Sequence, residues 1–158
     1  MKKIKLTKGL STKIDDLDFN RVSKFSWYFS PRMDNKGGYA VSFIKGKTIY
    51  LHRFLLKLTG KERVDHKNGN GLDNRRSNLR IGNQSLNLAN SKISKINTSG
   101  YKGVCLNRSR KKKKWQSYIK INYKHYYLGG FNTKEEAAYA YNQAALKYFG
   151  EFARLNII

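Results

Sequence analysis

The chain of 158 residues has little cysteine and no long apolar segment. Its one cysteine, Cys105, excludes an intramolecular disulfide and a zinc site built from several thiolates, so packing must stabilise the fold. No apolar run approaches the roughly 18 residues that a membrane-spanning helix requires. The first residues also lack the apolar segment of a secretory signal, and these absences together predict a cytoplasmic protein.

Acidic residues are also scarce, which leaves the chain strongly positive. Ten Asp and Glu residues stand against 33 Lys and Arg residues, giving a formal net charge of +23. Lys and Arg that neutralise phosphates release counterions, so nucleic acid is the first partner that this composition indicates. An anionic membrane would call for a basic amphipathic helix or a lipidation signal, and the sequence contains neither.

Polar and small residues between 94 and 99 predict a linker, which divides the chain into domains 1–96 and 97–158. The first domain reads as a mixed unit. A short helix carries Phe19 and Val22 after an aspartate cap, and residues 37–52 alternate as a hairpin before a short helix that ends at Gly60. The second domain also combines strands with a helix, so the predicted class is α+β.

The stretch VDHKNGNGLDNRRSNLR, residues 64 to 80, lies in a unit predicted as strand, loop, strand and helix over 61–94. Asp65 and His66 are adjacent where the first strand ends, and the Gly and Asn loop lets both side chains reach one site. The near-neutral pKa of histidine suits a general base, and a carboxylate supplies the hard oxygen that Mg²⁺ prefers. A polar turn between two strands is the alternative interpretation.

Residues 62–94 resemble the HNH endonucleases, specifically the phage and intron-encoded homing type with a ββα-metal active site. The resemblance implies that Asp65 binds a divalent metal and that His66 is the general base. It also implies that Asn78 on the second strand orients His66, and that Asn87 on the following helix completes the metal site. Many members carry histidine at this last position, and the asparagine carbonyl here favours Mg²⁺ or Mn²⁺ over zinc.

Other basic and aromatic residues of the first domain have predicted roles outside the metal site. We predict contacts with DNA phosphates near the scissile bond from the arginines of the loop and second strand, with a solvated basic loop as the alternative. These arginines are Arg75, Arg76 and Arg80. His52, in YLHRFLL, has no ligand partners at suitable spacing, and we predict that it is packed or hydrogen-bonded structure.

Three short strand candidates follow Tyr101, and then comes the clearest helix of the chain. Thr133 and Glu136 form a capping box at its start, and Gly150 ends it. Residues 97–156 resemble the AP2 domain of plant transcription factors. The motifs that carry the resemblance are SGYKGV, WQSYIKI, YLGGF, this helix and EFARLN. The resemblance implies a three-stranded antiparallel sheet backed by one helix, with the sheet entering the major groove of double-stranded DNA.

Alternation along these strands predicts which face of the sheet packs on the helix. The residues predicted to point inward are Val104, Leu106, Trp115, Ser117, Ile119, Ile121 and Leu128. The outward face is polar or aromatic, as a surface for the major groove should be. The predicted DNA contacts of the domain are Lys102, Asn107, Gln116, Tyr118, Lys120, His125 and Tyr127.

These features predict a metal-dependent, site-specific DNA endonuclease of a mobile element, acting as a monomer or weak dimer. The first domain would cut and the AP2-like domain would hold the duplex. Two alternatives remain open. One is a DNA-binding regulator that uses the HNH fold only as a scaffold. The other is an RNA-binding protein, which the absence of RRM and KH signatures disfavours.

Overall fold

The computed structural model describes residues 1–33, 37–109 and 111–158, in which the chain forms two compact units, Met1–Asn83 and Gln84–Ile158. The division falls earlier than the predicted boundary at residue 96. The reason lies in the helix after Asn83, because its Leu86 and Ala89 pack in the apolar core of the second unit. This helix is therefore part of the second unit and not of the first.

Small antiparallel sheets and short helices build the first unit. The elements are β1 (Lys2–Lys5), β2 (Ser11–Ile14), α1 (Phe19–Val22), β3 (Tyr28–Pro31), β4 (Gly38–Ile44), β5 (Lys47–Tyr50), α2 (Leu51–Leu55), β6 (Arg63–His66) and β7 (Leu79–Gly82). Strands pair as β1 with β2, as β3, β4 and β5 in that order, and as β6 with β7. One core unites these elements, with Ile14, Val22, Leu51 and Leu55 fully buried in it.

Local sequence explains most of these boundaries. The predicted hairpin is confirmed, and its turn uses Lys45 and Gly46, both with positive φ (49° and 76°), as a two-residue turn between twisted strands requires. The helix α2 ends at Leu55, before the predicted stop at Gly60. Lys57 adopts a φ of 54°, which takes the backbone out of the helical region.

The loop between β6 and β7 is joined to the N-terminal hairpin by backbone hydrogen bonds. The Lys13 amide donates to the Leu72 carbonyl and the Asn74 amide donates to the Lys13 carbonyl, each at 2.8 Å. These bonds make an isolated parallel bridge between Lys13 and Asp73. Residues 72–74 are therefore fixed by a strand about 60 positions earlier in the chain.

The second unit combines a three-stranded sheet with helices. Its elements are α3 (Gln84–Ala89), β8 (Val104–Leu106), β9 (Trp115–Ile121), β10 (Lys124–Phe131) and α4 (Lys134–Phe149). The antiparallel sheet has the order β10-β9-β8, and α4 packs on it. The predicted capping box of α4 is present. The turn between β9 and β10 uses Asn122 and Tyr123, both with positive φ.

Alanines on α4 let the helix approach the sheet closely. Ala137, Ala138 and Ala145 are fully buried, and Ile119 of β9 lies in the same interior. Gly103 permits a similar approach, because a Cβ at this position would overlap the Tyr141 ring. In the described parts of the chain, no helix has both the length and the apolar character needed to cross a bilayer.

Candidate functional site

Asp65 and His66 lie at the end of β6, and both are buried, with exposed fractions of 9% and 6%. The loop that follows is folded by its own amide side chains. The Asn68 carboxamide oxygen accepts from the Asn70 amide at 2.9 Å, and the Asn70 oxygen accepts from the Leu72 amide at 3.0 Å. Such short-range bonds are typical of asparagine in turns. The NGNG sequence therefore forms an ordered turn beside His66.

Asn78 holds this loop in place, and its side-chain hydrogen bonds go to Asn68 and Asp73. Its oxygen accepts from the Asn68 amide at 3.0 Å, and its Nδ2 donates to the Asn68 side chain at 3.1 Å and to the Asp73 carbonyl at 2.7 Å. The sequence prediction placed Asn78 against the His66 ring. Strand register explains the difference, because Leu79, and not Asn78, lies opposite His66 in the β6–β7 pair.

Asn74 makes the contact that was expected of Asn78. Its Oδ1 lies 3.3 Å from His66 Nε2. Its Nδ2 donates to Thr12 Oγ1 of β2 at 2.8 Å and to the Gly71 carbonyl at 3.2 Å. Asn74 is 1% exposed and Thr12 is fully buried. The sequence analysis missed both residues, and the N-terminal hairpin gave no local signal of a role at the site.

The surroundings of His66 favour its neutral form. Burial is the largest influence and lowers the pKa of His66, while the hydrogen bond to Asn74 and the negative charges of Asp65 and Asp73 oppose this shift. A neutral imidazole carries one nitrogen lone pair and can accept a proton. The environment thus suits a general base, the role predicted for this histidine.

An aromatic cluster borders His66 on another side. The His52 ring meets the His66 ring edge-on at 5.2 Å between centroids, and Tyr50 stacks on His52 at 5.4 Å. Tyr39 touches both histidines, at 5.5 and 6.0 Å. Burial, followed by the nearby His66 and Arg53, lowers the pKa of His52 to about 3. His52 is therefore a packed, neutral ring that forms one wall of the site.

The three arginines predicted to contact phosphates are all engaged with carboxylates. Arg80 lies across from Asp65 in the strand pair, and its Nε and Nη2 reach Asp65 Oδ2 at 2.8 and 2.6 Å. Arg75 grips Asp73 through two bonds of 2.8 and 2.7 Å, and these hold the pKa of the Asp73 carboxyl below its usual value. Each of these arginines is therefore part of an intramolecular ion pair, and their contact with DNA stays a prediction.

Arg76 is also paired with carboxylates, and these lie far from it in the sequence. Its guanidinium bonds to both oxygens of Asp18 at 2.9 Å, and its backbone amide donates to Asp15 at 2.8 Å. Asp18 is buried and also pairs with Arg21 at 3.1 Å. Sequence alone could not match these partners, because Asp18 precedes Arg76 by 58 residues.

The donors for a metal ion are few in the first unit. Among the described residues, no group of three or more His, Cys, Asp and Glu side chains is placed to hold an ion. Asp65 is the carboxylate next to His66, and Asn87, the other predicted ligand, lies half-buried on α3 of the second unit. The available donors are hard oxygens, without a thiolate, which is the chemistry of a magnesium or manganese site and not of a zinc site.

The outer face of the sheet in the second unit carries several of the predicted DNA contacts. Tyr118 pairs with Tyr127 and Lys120 with His125 across β9 and β10, so these four side chains share one face. The two tyrosine rings lie 5.2 Å apart. Lys120, His125 and Tyr127 are exposed. This is a polar and aromatic surface with cationic groups at one end.

Two other predicted contacts of this unit are engaged in hydrogen bonds within the chain. Gln116 is 7% exposed and accepts a hydrogen bond from the Tyr118 hydroxyl at 3.1 Å. Asn107 folds the turn after β8 by accepting from Ser109 at 3.1 and 2.6 Å. Leu106, predicted to point inward, is 40% exposed. The short β8 and its turn leave this end of the sheet uncovered.

Lys102 serves the internal structure of the second unit. Its ammonium donates to the carbonyls of Leu88, Ala89 and Ser91, at and just after the last turn of α3. Burial, with a smaller influence from Arg154, lowers the pKa of Lys102 to about 8. A cation on these carbonyls stabilises the end of a helix, so Lys102 caps α3 instead of extending toward a ligand.

Similarity to known proteins agrees with the site geometry. Over 143 residues the chain is 35% identical to an uncharacterized HNH endonuclease of Acanthamoeba polyphaga mimivirus, covering 87% of this chain and 70% of that protein. The buried Asp65–His66 pair and this similarity define a nuclease class, and the chain belongs to the HNH endonuclease family.

A second similarity is confined to a segment. Over 61 residues, 39% of this chain, it is 41% identical to an AP2-like ethylene-responsive transcription factor of Arabidopsis thaliana, of which it covers 12%. No protein-family model matches the chain, and no solved structure gives a significant match.

Proposed function

We propose that the protein is a metal-dependent, site-specific DNA endonuclease of the homing type. The observation that carries the proposal is the buried His66, hydrogen-bonded at Nε2 by Asn74 and adjacent to Asp65 in a member of the HNH endonuclease family. A neutral imidazole that can accept a proton, next to a hard-oxygen ligand, is what hydrolysis of a phosphodiester needs from a protein.

The donor chemistry of the site fits Mg²⁺ or Mn²⁺. Mg²⁺ is commonly held by one or two carboxylates together with substrate phosphates, and Asp65 supplies one such carboxylate. The Asn87 carbonyl is the second protein ligand that the family resemblance implies. When bound, the ion would act as a Lewis acid that stabilises negative charge on the phosphate and on the leaving oxygen.

The residues of the chain then have distinct tasks. His66 accepts a proton from the attacking water, and Asn74 holds its ring. Arg80 fixes the direction of the Asp65 carboxylate through two hydrogen bonds to one oxygen. Asn78 keeps the loop after β6 closed, so that His66 stays at the end of its strand. His52 packs against the His66 ring and limits access of solvent to it.

Duplex binding is assigned to the outer face of the sheet in the second unit. Lys120, His125 and Tyr127 are exposed on it, and the short similarity to an AP2-like protein covers about the length of one such domain. Aromatic and amide groups read base edges, and lysines contact phosphates. The net charge of +23 supplies the attraction that does not depend on sequence.

Two substitutions separate cutting from binding. His66→Ala is expected to abolish Mg²⁺-dependent cleavage of a plasmid library carrying candidate sites, while the affinity for DNA stays unchanged. Tyr127→Ala serves as the matched comparison, because it should weaken DNA binding and leave the maximal rate at saturating protein unaltered. EDTA should stop cleavage by both proteins that retain His66.

Other results would contradict the assignment. Undiminished cleavage by His66→Ala would remove His66 from the chemistry. Specific binding to one DNA site without cleavage under any divalent ion would favour the alternative, a DNA-binding regulator that retains an HNH scaffold. A dissociation constant that hardly changes with salt would count against both functions, since each contacted phosphate contributes about −0.9 to the log–log slope.

A further inference from the structure

A neutral histidine can exist in two tautomers, and the hydrogen bonds around His66 select one of them. Neutral imidazole carries a proton on one nitrogen and a lone pair on the other, and only the lone-pair nitrogen can act as a base. The partner of His66 Nε2 is therefore decisive. That partner is Asn74 Oδ1 at 3.3 Å.

The orientation of the Asn74 carboxamide follows from its other contacts. One end of the amide faces the Gly71 carbonyl at 3.2 Å, and a carbonyl can only accept, so this end must be the NH₂ group. The same end faces Thr12 Oγ1 at 2.8 Å. Thr12 gives its one hydroxyl proton to the Leu72 carbonyl at 2.8 Å and so acts as an acceptor toward Asn74.

Two independent contacts thus place the carboxamide oxygen toward His66. Because an amide oxygen accepts hydrogen bonds and cannot donate them, His66 Nε2 must carry the imidazole proton. We propose that Thr12 and Asn74 form a positioning relay that fixes His66 in its Nε2–H tautomer and leaves Nδ1 as the atom that accepts the proton during cleavage. The catalytic part of this proposal rests on the proposed nuclease function.

The relay brings a residue of the N-terminal hairpin into the machinery of the site. Thr12 belongs to β2, and the backbone bonds of Lys13 to Leu72 and Asn74 align it with the loop. Thr12 and Asn74 are shielded from water, which would otherwise compete for these bonds. The hairpin is therefore a positioning element, although it is more than 50 residues from His66 in sequence.

The tautomer can be measured directly and without activity. Full-length, metal-free protein labelled with ¹⁵N-histidine would be studied at pH 8 by two-bond ¹H–¹⁵N correlation, with the His66→Ala spectrum identifying the His66 signals. We expect a protonated Nε2 and a lone pair on Nδ1. An Nδ1–H tautomer in the wild-type protein would overturn the proposal before any variant is made.

Matched variants test the relay itself. Thr12→Val keeps the shape of the side chain but offers no acceptor to Asn74, whereas Thr12→Ser keeps the hydroxyl. Thr12→Val should give a mixture of tautomers and lower kcat roughly 10- to 100-fold with KM unchanged, by analogy with the loss of a partner that orients a metal-binding imidazole. Thr12→Ser should restore both the spectrum and the rate.

The outcomes distinguish the relay from the nuclease function. A Thr12→Val protein that unfolds like the wild type and retains both its tautomer and its kcat would refute the relay. If this variant does not fold, Asn74→Ala is measured in its place, and it too should lose the Nε2–H preference. A wild-type protein with the expected tautomer but no cleavage of any DNA would preserve the structural assignment and defeat the catalytic one.

Discussion

Replacing His52 by phenylalanine tests whether burial keeps this ring neutral. The pKa of His52 is lowered from 6.5 to about 3, chiefly by burial. The unfolded chain therefore binds a proton at pH values where the folded protein does not. The free energy of unfolding therefore carries no penalty from His52 above about pH 6.5, and it decreases as the pH falls from 6.5 toward 3.

The size of this effect follows from the two pKa values. One pKa unit corresponds to about 1.36 kcal/mol, so titrating His52 from pH 7 to pH 4 should remove roughly 3 kcal/mol from the free energy of unfolding. His52→Phe retains the ring contacts with Tyr39, Tyr50 and His66 but cannot ionise. Its stability should therefore decline less steeply than that of the wild type.

Urea unfolding at several pH values between 4 and 8, monitored by tryptophan fluorescence without metal ions, measures both curves. Contributions of His66 and the carboxylates are shared by the two proteins, so the difference between the curves isolates His52. The gap should open below pH 6.5 and reach roughly 3 kcal/mol at pH 4. Parallel curves across this range would refute the conclusion that His52 is held neutral by burial.

Three further substitutions test the structure. Thr133→Ala removes the N-cap of α4 and should lower the free energy of unfolding by about 1 kcal/mol in urea titrations, whereas Thr133→Ser should be nearly neutral. Gly103→Ala forces a methyl group onto the Tyr141 ring at a φ of 76°, so we expect a melting temperature lower by several degrees, with Gly100→Ala as the uncrowded comparison. Asp18→Asn weakens the two bonds from Arg76 and should cost about 1–3 kcal/mol in urea titrations at pH 7, and an unchanged free energy of unfolding would contradict a stabilising role for this pair.

Much of the local structure was predictable from the sequence. The hairpin over residues 37–52 and the capping box at Thr133 depend on neighbouring residues, and both are confirmed. The class, with small antiparallel sheets and few helices, also agrees with the prediction. Asp65 and His66 are adjacent in the chain, so their shared place at the end of β6 needed only one strand boundary to be right.

Contacts between distant residues account for what the sequence did not reveal. The partner of Arg76 is Asp18, and the acceptor for Asn74 is Thr12, and neither pair has a periodic or local signature. Lys102 looked like a DNA contact because of its charge, yet tertiary folding carries it to the carbonyls after α3. The charge of a residue and the alternation of side chains along a strand indicate which interactions are available. The tertiary packing determines which partner each side chain meets.

The docking of β2 on the loop after β6 also bears on the order in which the elements of the first unit fold. The hairpins of the first unit close over short stretches of chain, whereas the Thr12–Asn74 contact joins residues 62 positions apart. Closing longer loops costs more chain entropy, so such contacts tend to form late in folding. We therefore expect a refolding chain to regain its strands first, and His66 to acquire its contact with Asn74 only at the end.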